Sequence, residues 1–213
     1  TDHLENRLSN HPAEWVDGFV TDSRLEETAR RMGKRTINTQ QGCKHANNKV
    51  LLFRHLRKAG LPLMDTFIVS RPEEIDDAAA KLLRKGYRQA VVKSAIGASG
   101  CGLWMLKLDG LHDPPPSYLF HEQECLVQGW LDETVEGVRA IGSPSVQLYL
   151  QDDGVRLYDL TEQFLSNASV HEGNVAPPPY LAVHPELRSE IIRQAEEIGR
   201  FIHSTGYRGT AGI

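Results

Sequence analysis

Hydrophobic residues recur at helical spacing in four stretches of the chain, each bounded by residues that begin or end helices. Apolar positions three and four apart predict helices over Arg24–Met32, Lys49–Lys58, residues 72–85 and Glu186–Ser204. Asn48 precedes the second helix as an N-cap, and a glycine follows each predicted helix end closely. These local signals place the helices without any tertiary contact.

Short apolar runs between the helices predict strands. The predicted strands are Trp15–Val20, Arg35–Asn38, Thr66–Val69, Gln89–Lys93, Leu103–Leu108, Glu124–Trp130, Val146–Leu150, Val155–Leu160 and Thr210–Ile213. The Asp153-Gly154 pair predicts a hairpin turn between two of them. Residues 40–47 are mostly polar, and this composition predicts a linker.

The order of the elements predicts an α+β protein preceded by a fragment of a parallel sheet. Residues 14–39 have the order strand, helix, strand, which is typical of the end of a parallel-sheet domain. A doubly wound domain needs more strands before this one, so the sequence is expected to begin partway through such a domain. Residues 89–108 have the order strand, glycine loop, strand, which predicts an antiparallel hairpin.

Composition excludes some classes of partner. The net charge is −4, and lysines and arginines are spread along the chain, which argues against a nucleic-acid partner held on a basic face. The longest apolar runs are too short to cross a membrane, and the first residues lack a signal-peptide pattern. A cytoplasmic protein is therefore expected.

The cysteines are few and widely spaced. Cys43, Cys101 and Cys125 are odd in number, which favours free thiols in a reducing compartment over a disulfide framework. His121 and Cys125 are four residues apart and raise the alternative of a zinc site. Two ligands without a second pair are a weak signal for zinc, so free thiols are the preferred interpretation.

A glycine-rich loop next to a lysine is the main candidate for chemistry. Gly97, Gly100 and Gly102 lie between two predicted strands, where a backbone without side chains can approach a phosphate closely. No Gly-Lys-Ser/Thr run follows, which excludes a Walker loop. Lys93 ends the preceding strand, and Lys49 begins a helix whose N-terminus favours an anion. The alternatives are a hairpin without a ligand and solvated surface lysines.

Several segments resemble, in the same order, the ATP-grasp superfamily of carboxylate–amine ligases. The similar segments are Asn48–Pro62, Val91–Gly102, Leu126–Leu131 and His203–Ile213, and residues 21–38 are similar to the end of the preceding domain. The resemblance implies two small α+β subdomains whose antiparallel sheets grip ATP. Its peptide-ligase-like branch is the most similar, and the chain is expected to be truncated at both ends.

The resemblance also divides the chain. Residues 1–44 correspond to a remnant of the preceding α/β domain with a linker, residues 45–130 to the N-terminal subdomain, and residues 131–213 to an incomplete C-terminal subdomain. Lys49 and Lys93 match the lysines that contact the α- and β-phosphates.

The implied ATP site continues from these lysines along the chain. A closing loop, an acceptor for the adenine amino group, a hinge that pairs with the adenine edge, and a ribose acceptor follow in that order. The implied residues are Lys49, Lys93, Gly97, Ser99, Gly100, Gly102, Gln128, Gly129, Trp130, Leu131 and Glu136.

Polar residues further along the chain are candidates for the substrate or the phosphates. They are Arg139, Glu162, Gln163, His171 and Asn174. Arg139 would meet a substrate carboxylate. A polar loop without a ligand is an equal alternative for the other residues.

The metal ligands implied by the resemblance cannot be matched within the chain. The superfamily holds Mg²⁺ (or Mn²⁺) by an acid shortly after the turn that resembles Gly209–Ile213, and by a Glu-x-Asn on the next strand. The ligands are therefore expected after Ile213, and the chain alone is expected to be almost inactive, because phosphoryl transfer depends on metal ions.

For a longer parent the resemblance implies amide formation through an acyl phosphate. The partners would be a small-molecule or peptide carboxylate and an amine, with a homodimer left open. The alternatives are a nucleotide-binding pseudoenzyme or regulatory module, an ATP-grasp carboxylase or carboxylate kinase, and an unrelated α+β protein whose glycines occur by chance.

Overall fold

Two four-stranded antiparallel sheets and a parallel pair of strands make up the computed structural model, which describes residues 2–97, 101–110, 113–166 and 171–213. The helices are α1 (Asp2–Ser9), α2 (Ser23–Arg31), α3 (Gln40–Ala46), α4 (Lys49–Lys58), α5 (Glu74–Arg84) and α6 (Pro185–Ser204). The strands are β1 (Trp15–Val16), β2 (Arg35–Thr36), β3 (Thr66–Val69), β4 (Gln89–Ser94), β5 (Leu103–Lys107), β6 (Cys125–Gly129), β7 (Pro144–Gln151), β8 (Gly154–Leu165), β9 (His171–Val175) and β10 (Gly209–Gly212). The predicted α+β class is confirmed.

The first sheet has the strand order β3-β6-β4-β5 and is covered by α5. Apolar residues at helical spacing on α5, among them Ile75 and Leu82, are buried against Val92, Leu106 and Val127 of the sheet. We call this the first core. It fixes β4 and β6 side by side, which brings Lys93 close to Gln128.

The second sheet has the order β10-β7-β8-β9 and is covered by α6. Leu148 and Leu150 of β7 pack against Ala195 and Ile202 of α6 in what we call the second core. The predicted hairpin turn over residues 151–154 is confirmed, since β7 and β8 pair antiparallel with Gln151 opposite Gly154.

Helix α4 packs against the first sheet and against the second core. Its N-cap Asn48 accepts hydrogen bonds from the backbone N–H groups of residues 50 and 51, both at 3.0 Å. Val50 and Phe53 pack on the first sheet, whereas Leu51 and Leu52 pack on the second core. The helix therefore fills the space between the two sheets.

A parallel pair of strands precedes the two sheets, as predicted. Strand β1 pairs with β2, and α2 connects them. Both strands are shorter than predicted, and residues 17–20 form a loop instead of extending β1. Asp22 caps α2 by accepting from the N–H of Leu25 at 2.8 Å.

The prediction of a linker over residues 40–47 is wrong, because most of this segment is α3. Thr39 caps it by accepting from the N–H of Gly42 at 3.0 Å. The segment is also anchored over a long range, since Thr205 after α6 donates to the Gly42 carbonyl at 3.3 Å. The few apolar residues of this segment show no helical periodicity. Cys43 is nevertheless buried, so contacts with the rest of the protein, and not the local sequence pattern, stabilise the helix.

The cysteines are free thiols, with Cys43 and Cys125 buried and Cys101 exposed. Burial, with the charge of Glu74, raises the pKa of Cys125 to about 12, which keeps this thiol neutral. Within the four described ranges, no group of three His, Cys, Asp or Glu side chains could hold a metal. In the same ranges no helix combines the length and apolarity needed to cross a bilayer.

Candidate functional site

Lys49 lies where the first sheet meets α4. As the first residue of α4, it donates its backbone N–H to the Ala95 carbonyl at 2.8 Å, which ties the helix start to the segment after β4. Its ammonium donates to the Gly97 carbonyl at 2.5 Å. The side chain is thus held at the beginning of the glycine-rich loop.

Lys93 lies on β4, and its ammonium meets Gln128 on the neighbouring strand. The Lys93 Nζ donates to Gln128 Oε1 at 2.7 Å, and Gln128 Nε2 donates to Thr66 Oγ1 on β3 at 2.9 Å. A chain of hydrogen bonds therefore crosses three strands. The Gln128 amide oxygen, which the resemblance assigns to the adenine amino group, therefore accepts a hydrogen bond from Lys93 in this structure.

The two lysines lack a compensating negative charge. No carboxylate of the described residues forms an ion pair with Lys49 or Lys93. Burial lowers the pKa of both, and the positive charge of Lys93 lowers the pKa of Lys49 further. Two ammonium groups close enough to repel each other, in a half-buried setting, would be stabilised by an anion such as a phosphate.

The described ends of the segment between β4 and β5 pack around Ser94, whose hydroxyl donates to the Ile96 carbonyl at 2.7 Å. Gly102 has a positive φ of 80°, and a Cβ there would overlap the Ser94 hydroxyl. A Cβ on Gly97 would overlap the Cys101 carbonyl oxygen. The predicted residues Ser99 and Gly100 lie outside the described residues.

The predicted hinge, Gly129 to Leu131, continues from the end of β6 and packs against the first core. The Gly129 N–H donates to the Asp65 carbonyl and the Trp130 N–H donates to the Gln89 carbonyl, both at 2.9 Å. Leu131 packs against the first core. Glu136 lies further along as an exposed residue.

A cleft of about 760 Å³ opens beside Lys49. Its walls come from the loop at residues 17–21, from α3 and the start of α4, and from α6 with β10. Lys49 and Gly97 line the cleft, whereas Lys93 and Gln128 do not. Because Lys49 is close to Lys93 and also lines the cleft, a phosphate at the lysines and a molecule in the cleft would be neighbours.

Four of the five residues predicted to contact the substrate lie on β8 and β9, namely Glu162, Gln163, His171 and Asn174, and none of the four lines this cleft. Gln163 pairs with Asn174 across the two strands, and His171 begins β9. The segment that holds His171 and Asn174 is therefore an edge strand, not a loop. Arg139 is exposed before β7 and does not line the cleft either.

Glu162 fixes the segment before β7. Its Oε1 accepts from the Ser143 N–H at 2.6 Å, and its Oε2 is buried beside Tyr180 without a well-formed hydrogen bond. Burial, together with the Glu162 carboxylate, raises the pKa of Tyr180 to about 12. This arrangement shows a structural contact of Glu162, whereas a contact with substrate stays a prediction.

The chain resembles known proteins in sequence and in structure. No protein-family model matches the chain. The "[Butirosin acyl-carrier protein]--L-glutamate ligase" of Niallia circulans is 26% identical over 201 residues, which cover 92% of this chain and 45% of that protein.

Solved structures match over nearly the whole chain. The ADP complex of purK, an N5-carboxyaminoimidazole ribonucleotide synthetase, has a TM-score of 0.64 at 18% identity, covering 99% of this chain and 50% of that one. D-alanyl-alanine synthetase A of Vibrio cholerae has a TM-score of 0.62 at 15% identity, covering 95% and 62%. The biotin carboxylase domain of the Hydrogenobacter thermophilus 2-oxoglutarate carboxylase has a TM-score of 0.63 at 13% identity, covering 99% and 46%.

The chain has the ATP-grasp fold. The chain spans about half the length of the curated relative that it matches. The likeness includes both antiparallel sheets and the parallel strands before them.

The sequence patterns do not predict two parts of the cleft wall. The loop at residues 17–21 was predicted mostly as strand, and Tyr158 of β8 was treated only as part of a hairpin. Both line the cleft. A signal was present in the loop, because Gly18 interrupts the apolar run and Asp22 is a helix N-cap.

Proposed function

We propose that the chain is the nucleotide-binding part of an ATP-dependent ligase that joins a carboxylate to an amine. The observation that supports this proposal is the pair of half-buried ammonium groups, Lys49 and Lys93, beside a glycine loop with no carboxylate partner in the described residues. The relative named as an acyl-carrier protein–L-glutamate ligase supports a ligase that acts on a carboxylate, and the neighbour structures named as ADP or ATP complexes support the nucleotide.

In the proposed reaction, a carboxylate oxygen attacks the γ-phosphorus of ATP, and ADP leaves. The amine nitrogen then attacks the acyl carbon, phosphate leaves, and the nitrogen loses a proton, which gives an amide. The residues of this chain would bind and position ATP for these steps. Lys49, Lys93 and the loop at Gly97 and Gly102 would contact the phosphates.

The remaining predicted residues would hold the nucleoside. Gln128 would accept from the adenine amino group, Gly129, Trp130 and Leu131 would provide the hinge, and Glu136 would accept from the ribose. Binding would move Lys93 toward the phosphates and free the Gln128 oxygen with which it is now paired.

Magnesium or manganese does not fit the described residues, which contain no cluster of three His, Cys, Asp or Glu side chains. The resemblance implies metal ligands after Ile213, and this stays a prediction. Among the residues described, the roles proposed here are limited to binding and orienting the nucleotide.

Replacing Lys93 by alanine is expected to weaken ATP binding about 10- to 100-fold, because one charge-assisted hydrogen bond to a phosphate is lost. Calorimetric titration of the chain with ATP would measure the change. Lys107→Ala is the matched control, since Lys107 is exposed on the adjacent strand β5. Equal ATP affinities of the Lys93→Ala and unsubstituted chains would refute the phosphate role.

The lowered lysine pKa values predict a pH dependence. ATP affinity is expected to fall as pH rises toward the ordinary lysine pKa of about 10.4, because bound phosphates stabilise the charged ammonium groups. The unliganded chain should show the opposite trend and gain stability over that range, since its folded state binds these protons more weakly than the unfolded state does. Titrations in buffers of different ionisation enthalpy should show proton uptake on ATP binding, reduced in Lys93→Ala.

A second candidate is an ATP-dependent carboxylase, which the fold likeness to a biotin carboxylase domain and to purK supports. The two candidates differ in what the parent enzyme consumes with ATP. Phosphate release that depends on bicarbonate and not on an amine would favour the carboxylase.

A further inference from the structure

Some charged side chains that line the cleft have ion-pair partners, and others have none among the described residues. Among the described residues that line it, Asp17 has the one carboxylate side chain, and it forms no ion pair with any of them. Arg208 is the second cation beside Lys49, but it is already engaged, because its Nε donates to Asp152 at 2.9 Å and its Nη1 to two backbone carbonyls. The charged side chains without an ion-pair partner among these residues are Asp17 on one wall and Lys49, whose ammonium donates to the Gly97 carbonyl, on another.

A second polar group without a partner lies on the same loop as Asp17. Thr21 lines the cleft with only 2% of its surface exposed, and its Oγ1 forms no hydrogen bond within the described structure. A buried hydroxyl without a partner is unfavourable, so a ligand that donates to it would be stabilised.

The loop is placed against the opposite wall of the cleft. Asp17 and Tyr207, which precedes β10, both line the cleft. Burial, and after it the charges of Cys43 and Asp17, raise the pKa of Tyr207. The Tyr207 hydroxyl donates to the Thr210 carbonyl at 2.7 Å and is therefore fixed. Phe19 and Val20 are exposed between Asp17 and Thr21.

The chemistry of the cleft suits a molecule with both charges. Asp17 and Thr21 offer oxygen acceptors for an ammonium group, whereas Lys49 offers a cation for a carboxylate. Leu52, Ile198 and Ile202 make the rest of the wall apolar. The volume of about 760 Å³ is within the range of small-molecule sites.

We propose that Asp17 and Thr21 bind the ammonium group of an amino acid or short peptide whose carboxylate lies toward Lys49. The proposal rests on the proposed ligase function and adds the class of the acyl substrate and the residues that select it. An acid without an amino group would leave Asp17 and Thr21 without partners and would bind more weakly.

Calorimetric titration of the 213-residue chain in saturating ADP can compare matched ligands: L-glutamate with glutarate, L-alanine with propionate, and L-phenylalanine with 3-phenylpropionate. At least one amino acid should bind about 10- to 100-fold more tightly than its partner without the amino group. Asp17→Asn should reduce that ratio to near one, and Thr21→Val should reduce it in part. Asp109→Asn, an exposed carboxylate after β5, should leave it unchanged.

The inference is overturned if no amino acid binds better than its partner, or if Asp17→Asn retains the preference. Asp17 is exposed, and thermal unfolding of each variant would show that it is folded. ATP titration of the unsubstituted chain separates the two proposals. Normal ATP binding without an amino-acid preference refutes only this inference, whereas absent ATP binding refutes the proposed function.

Discussion

Shortening Leu148 to alanine is expected to lower the free energy of unfolding by about 2–5 kcal/mol, the range for deleting most of a buried leucine. Leu148 has no exposed surface and lies in the middle of β7, between its partners Leu157 on β8 and Ala211 on β10. It packs in the second core beneath α6. The substitution removes apolar contacts and leaves a cavity that a paired central strand cannot close.

Urea denaturation of both proteins would measure this loss. Leu187→Ala is the control, because Leu187 lies at the start of α6 with 43% of its surface exposed. Its effect should stay within about 0.5 kcal/mol, as is usual for surface positions. Similar losses in the two variants would show that the second core is not packed as described.

Gly129→Ala is expected to destabilise the chain by about 1–3 kcal/mol through overpacking. A Cβ on Gly129 would lie 2.6 Å from atoms of the Tyr87 ring, closer than any real contact. The ring cannot easily move, because Tyr87 is buried in the first core and its hydroxyl donates to Asp65 at 3.2 Å. Asp65 also accepts from the Gly129 N–H, so the strain would reach the hinge.

A double-mutant cycle with Tyr87→Leu would identify the clash as the cause. If the ring opposes the new methyl group, the double variant should lose less stability than the sum of the single variants. Gly110→Ala is the matched control, because nothing lies within 4 Å of a Cβ at that position. Strict additivity would contradict the proposed clash.

Local signals account for the elements that were predicted correctly. The N-cap at Asn48 and the turn at Asp153-Gly154 involve neighbours in sequence only. Helix α6 begins one residue before its predicted start because Pro185 fits the first turn of a helix.

The elements that were missed depend on distant partners. Helix α3 has little periodicity and is held by the hydrogen bond from Thr205 to Gly42. Strand β9 is polar, as edge strands often are, and it forms because β8 offers a partner. Neither contact can be inferred from the composition of the segment itself.

The candidate site was predictable in its residue types and less so in its geometry. The lysines and glycines are visible as motifs, but the hydrogen bonds from Lys49 to Gly97 and from Lys93 to Gln128 join residues far apart in sequence. The sequence alone does not single out Asp17 and Thr21, because single polar residues in a loop resemble any other turn. Their importance is apparent only when the cleft is assembled.

Helix α4 gives the site a mechanical property. Arg54 binds Glu124, the residue before β6, through two hydrogen bonds, and His55 meets Glu197 of α6 at 2.7 Å, so polar contacts as well as packing join the helix to both sides. Neither sheet can rotate against the other without displacing this helix. Lys49 begins the helix, so any closure of the two sheets around a ligand would shift its positive charge relative to Lys93. The distance between the two ammonium groups would then measure the degree of closure.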